Sequence, residues 1–117
     1  MAAMQELNPY FNQISDLQGR CASLGGIFDF ELKRERLDEV NRELQQPNIW
    51  NDPERAQALG RERAQLEAVV NRLESLDRGL NEVAELLTLA GEENDEAAVA
   101  EVLRDLEAHD RVVADLE

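Results

Sequence analysis

Residues 66–90 read LEAVVNRLESLDRGLNEVAELLTLA. Within them Leu66, Val69, Leu73, Leu76, Leu80, Val83, Leu87 and Ala90 recur at alternating spacings of three and four. That period holds side chains in one stripe along an α-helix, and a stripe so apolar must lie against a partner helix. Burying each Leu or Val contributes roughly 1.5–3 kcal/mol. Gly60 and Gly79 each cost about 1 kcal/mol relative to Ala in a helix interior, so the helix outlasts its glycines. At Gly79 two readings stay open, a close helix crossing and a tolerated imperfection.

Working upstream, the helix has a marked start. Pro47 ends what precedes it, because the residue before a proline is pushed out of the helical region. In Asp52-Pro53-Glu54 the Asp carboxylate can accept from unpaired amides and the proline has no amide to leave unpaired. A helix over 53–90 follows, about 55 Å long at 1.5 Å per residue. Trp50, the only tryptophan, is read with Asp52 and Pro53 as the structural anchor of this corner.

Downstream, Gly91-Glu92-Glu93-Asn94-Asp95 reads as a return turn. Gly91 suits a left-handed helix end and Asn94 or Asp95 suits the cap of a last helix over 95–117. Val99, Val102, Leu106, His109, Val113 and Leu116 repeat the three-four spacing there, so the two arms should pair antiparallel within one chain rather than between chains.

Toward the N-terminus, Asn8 caps a helix over 9–24 whose stripe is Leu7, Tyr10, Ile14, Leu17, Cys21 and Leu24. Gly25-Gly26 breaks it, with a kink as the alternative. Asp29 caps a helix over 29–45 carrying Leu37, Val40 and Leu44 on one face. The expected fold is all-α, an elongated helical bundle with a long antiparallel coiled-coil hairpin, and 1–117 is one domain. Composition agrees: 43% of residues are hydrophobic but only 4% aromatic, the supply for helix packing rather than a β-sandwich.

Charge and missing chemistry narrow the function. A net charge of −14 excludes a direct nucleic-acid clamp, since phosphate affinity comes from Lys and Arg; basic protein surfaces are the expected partners. From Glu85 to Glu117 eleven acidic residues face only Arg104 and Arg111, either a solvated helix face or a docking surface. No stretch approaches the roughly 20 apolar residues that span a bilayer, Met1 to Glu6 is no signal peptide, and the expected location is cytoplasmic. Cys21 cannot form an intramolecular disulfide and reads as a buried, inert thiol. His109 has no second histidine and no metal-spaced cysteine, and the acidic turn lacks a calcium loop's ligand pattern. No nucleophile motif and no phosphate loop is present. No enzyme, cofactor or metal is expected.

Asn8-Pro9, Phe28-Asp29-Phe30, the run from Lys33 to Asn41, and above all Gln46-Pro47-Asn48-Ile49-Trp50-Asn51-Asp52-Pro53-Glu54-Arg55-Ala56-Gln57-Ala58-Leu59-Gly60 resemble the N-terminal domain of bacterial peptide chain release factor 2, over essentially the whole chain. The resemblance implies that the whole protein reads UGA and UAA stop codons and triggers peptidyl-tRNA hydrolysis on the ribosome. This chain holds neither the family's Ser-Pro-Phe nor its Gly-Gly-Gln motif. What the resemblance implies for this portion is an accessory role, contacting basic ribosomal proteins at the stalk base of the large subunit, with Gly91, Glu92, Glu93, Asn94 and Asp95 as the candidate contact. A monomer is expected. The family commonly carries Arg-Gly-Tyr-Leu-Asp-Tyr where this chain has Gly25-Gly26-Ile27-Phe28-Asp29-Phe30, so the bend there can differ. The competing reading is a free-standing acidic coiled-coil adaptor that dimerises through its stripes.

Overall fold

The computed structural model describes residues 6–117; the expectation about a signal peptide falls largely on residues 1–5, outside them. The elements in chain order are α1 (Asn8–Ile27), α2 (Phe30–Leu44), a short 3-10 turn (Ile49–Asn51), α3 (Pro53–Glu92) and α4 (Glu96–Leu116). Among the described residues there is no strand, and the fold class is all-α as expected. The chain forms two compact units. One is Gly25–Glu74, and the other joins the described residues up to Leu24 to Ser75–Glu117.

In the unit of residues 25–74, α2 and the first half of α3 form an antiparallel hairpin. Arg36 donates from Nε and Nη2 to the two carboxylate oxygens of Glu62 at 2.7 Å each, and Arg55 Nη2 donates to Glu43 Oε2 at 2.8 Å. Both pairs are symmetrical about residue 49, so the hairpin folds around Ile49. Val40, Ile49, Ala56 and Leu59 form the core there, with Leu44 and Leu66 packed against it. Pro53 begins α3 as expected, and Asp52 Oδ1 accepts from the Arg55 amide at 3.2 Å.

The anchor of this corner is not Trp50. Ile49 is 9% exposed and Trp50 73%. In a 3-10 turn neighbouring side chains diverge by about 120°, so with Ile49 turned to the core, Trp50 is turned to solvent.

In the other unit α1, the second half of α3 and α4 make a three-helix bundle, and cross-contacts give every direction. Gln13 Nε2 donates to Asp110 Oδ2 at 2.8 Å, and Arg20 Nε donates to Glu117 Oε2 at 2.9 Å. Both pairs are 97 residues apart in sequence, so α1 runs parallel to α4. Gln18 donates to Asn81 at 2.8 Å while Leu7 lies against Gly91, so α1 runs antiparallel to α3. Gly79 meets His109, a pair symmetrical about residue 94, so α3 and α4 form the expected antiparallel hairpin. Leu17, Leu80, Leu87 and Val113 are wholly buried at its centre.

The stripe of α3 departs from the expected positions at one point. Val70 is fully buried, whereas Val69 is only half-buried. The inward positions are therefore 59, 66, 70 and 73, then 76, 80, 83, 87 and 90. Two consecutive spacings of three, 70 to 73 to 76, interrupt the heptad, the kind of skip that locally overwinds a coiled helix. It falls where one unit ends and the other begins, at Glu74 and Ser75. Each half of α3 keeps the phase its own core needs.

The helix ends also differ from expectation, for a common reason. α1 continues through Gly25-Gly26 to Ile27, and the left-handed residue is Asp29, at φ 53. Asp29 makes no side-chain cap bond; its carbonyl accepts from the Lys33 amide at 2.9 Å, and Lys33 Nζ donates to the Phe28 carbonyl. At the start of α1 the Asn8 amide donates to Glu6 Oε1 at 2.9 Å, so Glu6 supplies the capping acceptor. α3 likewise runs past Gly91 to Glu92, and the left-handed residue is Asn94, at φ 54. Asp and Asn tolerate that conformation better than other residues bearing a Cβ.

Gly79 is a close contact rather than an imperfection. A Cβ there would sit 2.6 Å from His109 Cε1 and 2.8 Å from Nε2, so the imidazole occupies the space a side chain would need.

Two predictions follow from this packing. In urea unfolding, Val70→Asp should lose about 3 kcal/mol or more by burying an unpaired charge, and Val69→Asp less than half as much; equal losses would restore the unbroken heptad. Gly79→Ala should gain little while His109 is present, but about 1 kcal/mol in a His109→Ala background; an equal gain in both would refute the contact.

Candidate functional site

The groups most capable of chemistry are occupied by packing. Cys21 is 6% exposed; burial, with a smaller contribution from Asp77, pushes its thiol above the ordinary value and disfavours the thiolate that a nucleophile needs. His109 is half-buried over Gly79. Among the described residues no three His, Cys, Asp or Glu side chains gather as metal ligands. No helix among them is long and apolar enough to cross a membrane. What remains is surface.

That surface is electrically uneven. Residues 25–74 carry eleven acidic and eight basic side chains, whereas the other unit carries fifteen acidic and only four basic. In the first, arginines neutralise their neighbours: Arg34 pairs with Glu74, Arg36 with Glu62 and Glu39, Arg55 with Glu43, Arg63 with Glu67. The hydrogen bonds from Arg36 hold the Glu62 carboxyl below the usual carboxylate range, and Arg20 does the same to Glu117.

Between Arg78 and Arg104 there is no basic residue at all, while seven carboxylates stand there. These are Glu82, Glu85, Glu92, Glu93, Asp95, Glu96 and Glu101, and none of them forms an ion pair among the described residues.

The turn at the centre of this region has a defined geometry. The Asp95 amide donates to the Ala90 carbonyl at 3.0 Å and the Asn94 amide to Gly91 at 3.2 Å, the paired bonds that close a helix around a left-handed residue. Asp95 then caps α4 directly, its Oδ1 accepting from the Ala98 amide at 3.0 Å. Of the five residues singled out from sequence, Glu92, Glu93, Asn94 and Asp95 are exposed together, and Gly91 is half-buried. Gly91 serves contact rather than conformation: a Cβ there would lie 2.9 Å from Leu7 Cδ1. The sequence reading passed over Leu86 and Leu89, which are 42% and 51% exposed one turn before the end of α3. The available signal was the stripe itself, which takes Leu87 and Ala90 inward and so leaves these two leucines outside.

Comparison with known proteins gives this arrangement a context. Residues 33–117 match the family model described as the PCRF domain. The chain is 53% identical over 114 residues to peptide chain release factor 2 of Pasteurella multocida, and 49% identical over 114 residues to that of Yersinia pseudotuberculosis. Each alignment takes in 97% of this chain and 31% of the relative, so the chain spans about a third of the length of these proteins.

The turn itself is testable by stability. Asp95→Ala should lower it by about 1 kcal/mol through loss of the cap, and Asn94→Ala by about 1–2 kcal/mol through left-handed strain, with Asn94→Gly near neutral. Thermal unfolding distinguishes these, and an innocuous Asn94→Ala would contradict the observed backbone.

Proposed function

Because this chain belongs to the PCRF domain family, we propose that it is the accessory N-terminal helical domain of a longer class I peptide chain release factor. The whole protein would read UGA and UAA codons in the ribosomal A site and trigger hydrolysis of peptidyl-tRNA, with the residues for codon reading and hydrolysis lying outside the sequence described. The observation that carries this reading is the family match over residues 33–117, joined to 53% identity along 97% of the chain with a protein named peptide chain release factor 2.

The role of this portion is to bind rather than to react. Its contact is with basic proteins at the stalk base of the large ribosomal subunit, made by the acidic end of the α3–α4 hairpin around Glu92, Glu93, Asn94 and Asp95, and it works in the cytoplasm. The unpaired carboxylates between Arg78 and Arg104 support this, because fixed negative charge attracts Lys- and Arg-rich surfaces and repels RNA phosphates. It acts as a monomer. The stripes through which an acidic coiled coil would dimerise are covered within the chain, with Leu80 and Leu87 0% exposed and Leu106 1%.

The 117-residue chain is expected to co-sediment with large ribosomal subunits at low ionic strength and to be released as salt rises through the physiological range, where the Debye length falls to about 8 Å. Absence of binding at low salt, or binding indifferent to salt, would overturn this reading.

A further inference from the structure

Leu86 and Leu89 lie three residues apart on the solvent side of α3, at 42% and 51% exposure. Residues so spaced are neighbours on one helix face, and the same face carries Glu82 and Glu93, one at each end, since 82, 86, 89 and 93 repeat the four-three-four spacing. Glu85 and Glu92 flank it, and all four glutamates are exposed. About half of each leucine stays open to solvent, and no cation among the described residues pairs with the glutamates around them.

The phase of the stripe decides which side chains of this segment face inward. The core at this level takes Ala90, a smaller side chain, while Leu89 next to it stays outside. Burial alone would favour the leucine, because each additional buried CH₂ is worth about 0.8 kcal/mol. An apolar pair held outward and ringed by unpaired carboxylates has the anatomy of an interface centre with a charged rim.

We propose that Leu86 and Leu89, beside the acidic turn at Gly91–Asp95, form the apolar centre of the docking surface, and that their partner is a protein surface presenting a shallow apolar groove bordered by Lys or Arg. The inference rests on the ribosome-binding reading above and names the residues and partner chemistry of that contact. The glutamates steer and orient the approach, and the leucines supply the short-range apolar contact once the two surfaces meet. An RNA partner does not fit, since it would set phosphates against Glu82, Glu85, Glu92 and Glu93.

The test is co-sedimentation of the 117-residue chain with large ribosomal subunits, comparing Leu86→Gln/Leu89→Gln with Leu32→Gln. Leu32 is 65% exposed and belongs to the other unit, so it controls for the loss of any exposed leucine. The double variant should keep its thermal midpoint and bind about tenfold more weakly, the scale of a truncated interface centre, while Leu32→Gln binds as the parent does. Undiminished binding by the double variant, with the parent binding normally, overturns the inference and leaves the ribosomal role standing. An equal loss in Leu32→Gln overturns it as well, as does undiminished binding of the parent to protein-stripped ribosomal RNA. Failure of the parent chain to bind overturns the ribosomal reading and the inference with it.

Discussion

A 40-residue helix with an apolar stripe along its whole length cannot keep that stripe dry alone, and the rest of the chain is arranged to cover it. α3 meets this constraint in two portions. Its first half is covered by α2, folded back around Ile49, and its second half by α1 and α4 together. The skip in spacing from Val70 through Leu73 to Leu76 is the local consequence. A spacing of three in place of four turns the stripe about the helix axis, so its phase changes at the boundary between Glu74 and Ser75.

Polar cross-links give the arrangement its register. Gln13–Asp110 and Arg20–Glu117, one heptad apart with the same offset, hold α1 beside α4. Arg36–Glu62 and Arg55–Glu43, symmetrical about one residue, align the α2–α3 hairpin. These pairs are exposed or only partly buried, and pairs that water reaches are individually worth little in stability. Their use lies in selecting one sliding position among several that a stripe of similar leucines would allow. Energy comes from the stripe, and uniqueness comes from these pairs with the shape-specific contact of His109 on Gly79.

Much of this was legible in the sequence, and the parts that were not have definite causes. The helices and the α3–α4 pairing follow from periodicity sustained over several heptads, where one misplaced residue changes little. An unbroken repeat points to Val69, and the skip at the unit boundary brings Val70 inward instead. The ends of α1 and α3 were placed at glycines, yet Asp29 and Asn94 carry the left-handed conformation and Gly25, Gly26 and Gly91 stay helical. Glycine permits a turn without compelling one. Trp50 reads as the anchor of its corner because it stands beside the turn, but in a single 3-10 turn only one of two neighbours can face inward, and Ile49 does. The acidic turn was recognised as a unit; the role of Gly91 could not be, because it depends on Leu7, more than eighty residues away in sequence.

The uneven charge bears on what each unit can be for. Where arginines stand among carboxylates, as in residues 25–74, the surface is close to neutral at short range and its charges are engaged with one another. Where seven carboxylates stand with no base among them, as between Arg78 and Arg104, the folded state carries self-repulsion that gives its stability nothing. The core of the three-helix bundle can absorb that cost, since residues such as Leu80, Leu87 and Leu106 are almost wholly removed from water. A surface kept in this condition is uncommitted internally. Its negative charge is free to act at a distance of about a Debye length, and the helix beneath it is rigid enough to present side chains in fixed positions. Rigidity from the apolar stripe and availability from unpaired charge thus meet on the same half of α3.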